Sequence, residues 1–185
     1  MVINMKKISL ILLSLIMIVS FSFAAFQDDC GEILVKMNLL AGYPDGTLKL
    51  ENNITRAEFS VLIMKMLGYN SDNIVLESDK KFSDLKESHW ARMSIIKATE
   101  LKFLNGYEDN TFRPSNNLTY AECCAIIVNV LGYNSEMKGA WPNNVMNMAQ
   151  KLGINNKLGD KQSKDLMTRG EVAIMLVNSL NVEVK

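Results

Sequence analysis

Thr55-Arg56-Ala57-Glu58 comes back twice in this chain, as Thr119-Tyr120-Ala121-Glu122 and as Thr168-Arg169-Gly170-Glu171. Thr followed three residues later by Glu is a capping box. The Thr hydroxyl accepts from the N3 amide, and the Glu carboxylate reaches back to the N-cap amide. Such a cap contributes about 1 kcal/mol to its helix. Each copy opens an apolar stripe: Phe59, Leu62, Ile63, Met66, Leu67, then Cys123, Ile126, Ile127, Val130, Leu131, then Val172, Met175, Leu176, Ser179, Leu180. All three run i, i+3, i+4, i+7, i+8, one face of an α-helix. One box is a weak signal, but three in register predict three capped helices and an internal repeat.

Upstream of each Thr lies an aromatic residue, Phe26, Trp90 or Trp141. Apolar residues recur after each at matching offsets: Leu34, Met37, Leu39; Ala98, Leu101, Phe103; Ala149, Leu152, Ile154. These predict a second helix per repeat. Ser88 is placed to cap the second of them, and Pro142 suits the first turn of the third, where its missing amide costs nothing. Between the helices, Leu40-Ala41-Gly42-Tyr43-Pro44-Asp45-Gly46-Thr47 matches Leu104-Asn105-Gly106-Tyr107-Glu108-Asp109-Asn110-Thr111. Gly42 and Gly106 are expected to turn the chain out of the helix with positive φ. Asp45-Gly46 and Asp109-Asn110 read as tight turns, and too few oxygen ligands follow for a calcium loop. In the third copy Lys157 stands where Gly is expected, and Gly159 takes over the turn. Each unit is helix, glycine turn, extended loop, capped helix. So small a pair cannot bury its own stripe, so the copies must share a core. A polar linker, residues 70–81, follows the first unit, and Leu67-Gly68 and Leu131-Gly132 end capped helices with Gly.

The chain has 185 residues. Lys6 and Lys7 precede an uncharged run from Ile8 to Ala24 that ends in Ser22-Phe23-Ala24, the pattern of a secretory signal peptide over residues 1–24. An uncleaved anchor is the other reading of a run only marginally long enough to span a bilayer. With cleavage no stable membrane span is expected, and no Cys is set for a lipid anchor. Without Lys6 and Lys7 the chain keeps 18 Lys and Arg against 20 Asp and Glu, a net charge of −2. That balance argues against nucleic acid as a partner. Three cysteines, Cys30, Cys123 and Cys124, fit no zinc spacing and read as free, buried thiols. No metal or other cofactor is expected.

This arrangement resembles the S-layer homology, or SLH, domain. The second unit carries most of that family's signature in order: Phe82-Ser83-Asp84, His89-Trp90-Ala91, Asn105-Gly106-Tyr107, Asp109, Phe112-Arg113-Pro114, then Leu118-Thr119 to Glu122. The first unit supplies Gly42 to Thr47 and Ile54 to Phe59 but lacks the leading Phe-x-Asp segment. The third keeps Trp141 and Thr168 to Glu171 but has lost the Gly-Tyr turn. The resemblance divides the chain into repeats at 26–70, 82–134 and 135–182, the third degenerate. It implies an all-α fold, with three helix–turn–helix repeats in a pseudo-threefold arrangement around a central bundle of capped helices. It also implies secretion to a bacterial cell wall or S-layer, and binding there to secondary cell-wall polysaccharide, often pyruvylated.

The residues agree with a glycan role at one place. Arg56 and Arg169 directly follow an N-cap Thr, which sets a guanidinium beside helix-end amides and the positive end of the helix dipole. That combination attracts a carboxylate, which accepts two parallel bonds from Arg. A solvated first-turn residue is the alternative for each Arg, and on either reading alanine there is expected to leave the fold intact. Trp90 and Trp141 read as helix-packing core or as apolar walls for a sugar ring, with Gly42 and Gly106 at the adjoining turns. Tyr120 in place of Arg should weaken the remaining copy of the site. The function expected is a non-catalytic wall-binding module. The alternative is an SLH-fold envelope subunit that packs with other envelope proteins and binds no glycan, which the degenerate third unit and Tyr120 favour. An enzyme is not expected: His89 is the sole His and no Ser-His-Asp set or metal cluster accompanies it.

Overall fold

The computed structural model describes residues 23–185. Residues 1–22, and with them nearly all of the expected export signal, lie outside the described residues. The described part is built from helices: α1 (residues 23–36), α2 (Arg56–Met66), α3 (Arg92–Glu100), α4 (Tyr120–Val130), α5 (Asn143–Lys151) and α6 (Arg169–Ser179), with a 3-10 turn at Asn134–Glu136. Among the described residues there are isolated β-bridges but no strand. The all-α expectation holds.

All three capping boxes are complete, so α2, α4 and α6 start where the sequence places them. Thr55 N donates to Glu58 Oε2 at 2.8 Å, and Glu58 N to Thr55 Oγ1 at 3.2 Å. The Asp turns form as expected. Asp45 accepts from the amide and hydroxyl of Thr47, Asp109 does the same for Thr111, and Gly46 and Asn110 take positive φ.

Two local expectations fail. Ser88 does not cap α3, whose N-cap is Ala91, without a side-chain bond; His89 Nδ1 accepts the Ala91 amide instead, at 3.2 Å. Nor do Gly42 and Gly106 carry positive φ. The chain leaves the first helix of each pair through Asn38, Lys102 and Gly153, with φ of 58, 61 and 73°. Gly106 is needed for room: a Cβ there would lie 2.2 Å from Phe82 Cε1.

The stripes meet in one cluster. Phe59, Ile63, Ile127, Val172 and Leu176 share it, with Val130 packed at its edge. The capped helices lean on the following pair, α2 on α3 and α4 on α5, while α4 also touches α6. Residues 169–176 are buried on every side. Val172 to Val177 is an unbroken apolar run, and a helix apolar all round belongs at the centre.

A closed ring of backbone bonds ties the loops together just before the three N-caps. Ile54 N donates to Met167 O, Met167 N to Leu118 O, and Leu118 N to Ile54 O, at 2.9, 3.0 and 3.1 Å. All three side chains are fully buried. Outside this ring the first two amides of each capped helix are also taken: Arg56 and Ala57 donate to Asn116 and Pro114, Tyr120 and Ala121 to Asp165 and Ser163, Arg169 and Gly170 to Asn52 and Leu50. Each helix end is thus satisfied by its neighbour's backbone.

The polar stretch 70–81 is irregular but fastened. Glu100 Oε1 accepts the amides of Glu77 and Ser78 at 2.9 and 2.8 Å, and the buried Lys97 ammonium pairs with Glu77 and Glu100. The three cysteines are free and buried, and burial pushes the Cys124 thiol up to about 12.

Candidate functional site

The helix-end amides expected to face an anion beside Arg56 and Arg169 are not free, because carbonyls of the neighbouring loops and the capping boxes consume them. The arginines are not solvated first-turn residues either, being 6% and 5% exposed. Each crosses to the neighbouring turn. Arg56 Nε donates to Phe112 O at 2.9 Å and Nη2 to Asn105 O at 2.8 Å, while Nη1 lies 3.9 Å from Glu122. Its guanidinium sits over the rings of Tyr107 and Phe112. Burial lowers its pKa, and the Tyr107 and Glu122 charges oppose that shift.

Arg169 repeats the pattern on the first turn. Nε donates to Leu48 O at 2.9 Å, Nη2 to Ala41 O at 3.2 Å and Nη1 to Glu58 Oε1 at 3.0 Å, with the Tyr43 ring below. Tyr43 donates to the same Glu58 oxygen at 3.1 Å, and its own pKa is raised, chiefly by burial. The capping-box Glu therefore does two jobs, closing its own helix and receiving the next Arg. Sequence reading missed that second role, although the paired Gly-Tyr turns and the Thr-Arg boxes were the signals for it.

The third corner is built differently. Tyr120 is buried and its hydroxyl accepts from Asn155 Nδ2 at 2.8 Å; burial pushes that phenol up to about 12. Glu171, left without an Arg, pairs with Lys161. Tyr for Arg thus comes with a compensating lysine from the chain's own third turn.

Neither Trp is core. Trp90 is 66% exposed and Trp141 57%. Each stands at the lip of a groove that draws on three different parts of the chain. Groove 1, about 240 Å³, is lined by Leu40 to Tyr43 of the first turn, by Glu58, Val61, Leu62 and Lys65 of α2, by Trp90 and by Arg169. Groove 2, about 470 Å³, is lined by Leu104, Asn105 and Tyr107 of the second turn, by Glu122 and Asn129, by Trp141, Asn144 and by Arg56. The sequence-derived residues are thus brought together as Arg169, Trp90 and Gly42 in one groove, and as Arg56 and Trp141 in the other. Gly106 lies under Phe82, behind the groove 2 turn. Lys65 was not foreseen; ten positions after its N-cap Thr, it stands where the other copies carry Asn129 and Asn178. An apolar ring wall beside a half-open cleft with a few polar groups in its floor suits a sugar, whose faces carry C–H and whose rim carries hydroxyls.

Comparison with known proteins matches the S-layer homology domain family to residues 32–60 and 81–123. The chain is 32% identical over 150 residues to a middle cell wall protein of Brevibacillus brevis, covering 81% of this chain and 14% of that protein. Against a surface layer protein of Brevibacillus choshinensis it is 32% identical over 127 residues, 66% of this chain and 11% of that protein. Against a cellulosome-anchoring protein of Acetivibrio thermocellus it is 45% identical over 87 residues, 47% of this chain and 20% of that protein. The chain therefore spans a fifth or less of the length of these curated relatives.

Proposed function

We propose that this chain, which belongs to the S-layer homology domain family, is a non-catalytic module that attaches to anionic secondary polysaccharide of a bacterial cell wall. The observation that carries the reading is the pair of grooves, each with an exposed Trp at its lip and an Arg–Glu–Tyr set in its floor. Each open indole borders its cleft and offers an apolar face to a ring held there. The names of the aligned relatives, a cell wall protein, a surface layer protein and an anchoring protein, point the same way. Secretion to the wall follows from the same reading. Among the described residues no helix is long and apolar enough to cross a membrane.

In this reading Trp90 and Trp141 stack on sugar rings. Arg169 and Arg56 hold the turns at Gly42 and Gly106 in shape through their carbonyls, and present their remaining N–H groups to the ligand's polar rim. The ring through Ile54, Leu118 and Met167 ties the three loops together, and each groove is completed by residues from all three repeats. A pyruvate ketal supplies the anionic group. Sedimentation with native wall sacculi, and with sacculi stripped of their secondary polymer, tests the function. The protein is expected to pellet with the native sacculi and to stay in the supernatant with the stripped ones. Equal pelleting with both favours an envelope subunit that packs against other wall components.

A further inference from the structure

The two grooves differ in charge at one position. In groove 2 that position is Asn129, whose amide donates to Lys102 O at 2.6 Å; in the third copy it is Asn178, whose amide donates to Ile154 O and Asn156 O at 3.0 and 2.9 Å. Both asparagines are spent on holding their turn. Groove 1 has Lys65 instead, half-buried in its lining and with no carboxylate partner among the described residues. The other charges there cancel, because Arg169 is paired with Glu58 at 3.0 Å. In groove 2 Arg56 is likewise set against Glu122, and the rest of the lining is uncharged and rich in amides: Asn105, Asn129, Asn134 and Asn144. Groove 1 therefore carries one uncompensated ammonium beside an apolar ring wall, and groove 2 carries none. A partly buried lysine without a counter-ion, in a cleft with low-dielectric walls, attracts an anion more strongly than one in open solvent.

We propose that Lys65 makes groove 1 the carboxylate-reading site of the pair, while groove 2 takes a neutral, hydroxyl- and amide-bearing sugar. This rests on the wall-glycan reading and deepens it: a single polymer is gripped at an acidic sugar through Trp90 and Lys65, and at a neutral one through Trp141. The arginines shape both grooves and donate to the ligand's polar rim, and the ligand's charge is met by the lysine.

The two tryptophans of the chain stand one per groove, so their indole N–H resonances report each site separately. The probes are short oligosaccharides cut from purified wall polymer, used native or after chemical reduction of their carboxyls to alcohols. Native fragments are expected to shift both indoles. Carboxyl reduction is expected to weaken the Trp90 response about tenfold, the loss of one charged hydrogen bond, and to leave Trp141 unchanged. Lys65→Asn installs the residue of the other copies and is expected to do to native fragments what reduction does; Lys65→Arg keeps the charge and most of the Trp90 response. A Trp90 response that is unchanged in folded Lys65→Asn, or reduction that weakens both indoles alike, overturns this assignment and leaves the wall-glycan function standing. Native fragments that shift neither indole overturn both.

Discussion

Arg169 Nη1 lies 3.0 Å from Glu58 Oε1, so the first turn of the last helix is tied to the capping box of the first capped helix. The same guanidinium holds Leu48 O and Ala41 O, and it is 5% exposed. The expectation that alanine at this position leaves the fold intact therefore does not hold. Arg169→Ala leaves the half-buried Glu58 carboxylate without its cation and the carbonyls of Leu48 and Ala41 without their donor. Losing the charged donor behind these bonds costs about 1.5–3 kcal/mol. Urea unfolding of the variant at neutral pH measures it. Lysine restores charge but not the fork that reaches three acceptors, and recovers only part of the loss. A loss under about 1 kcal/mol for Arg169→Ala places the side chain among ordinary surface arginines.

One core predicts one transition. Ile127 lies in the cluster shared with Phe59, Val172 and Leu176. Ile127→Ala is expected to cost about 2–5 kcal/mol and to lower a single calorimetric peak in which all helices melt together. Two resolved peaks in the wild type contradict the shared core.

Gly106 and Gly42 occupy matching turns but differ in the room left to them. A Cβ at Gly106 meets Phe82 Cε1 at 2.2 Å and Thr111 O at 2.9 Å, whereas at Gly42 the nearest atom is Thr47 O at 3.3 Å. Gly106→Ala is expected to lose about 1–3 kcal/mol through overpacking, and Gly42→Ala distinctly less. Adding Phe82→Leu to Gly106→Ala removes part of the clash, so the double variant is more stable than the sum of the single effects implies. Strict additivity in denaturant titrations rules out contact with Phe82 as the cause.

Asp45 and Asp109 each titrate at about 2 instead of 3.8, held down first by the Thr47 and Thr111 hydroxyls. A carboxyl whose folded pKa is depressed stabilises the fold above its unfolded value and loses that contribution as pH falls through the folded one. The stabilisation from these turns is therefore complete above pH about 4 and gone below about 2. Thermal melts at pH 5, 4, 3 and 2 are expected to fall in that window, and to fall less for the Asp45→Asn, Asp109→Asn double variant. An unaltered pH dependence in the double variant assigns the acid sensitivity to other carboxyls.

The capped helices were legible from residues 55–58, 119–122 and 168–171 because a capping box is closed by side chains and amides within three residues of each other, and local chemistry alone decides it. The same holds for the Asp turns and for the stripe that faces the core, since helical periodicity is a property of neighbouring residues. What Arg56, Arg169, Trp90 and Trp141 do at those positions was not local. Arg169 reaches backbone more than a hundred residues away, and Trp90 borders a groove otherwise lined from residues 39–65 and by Arg169. Amides that seem open at a helix start are taken by carbonyls of another repeat, and only the ring through Ile54, Leu118 and Met167 brings those carbonyls there. Lys65 shows the same division. Helical spacing sets its place on α2, but only packing engages Glu58 with Arg169 and puts Lys65 in one groove with Trp90, because the charge of a cleft is the sum over every segment that lines it.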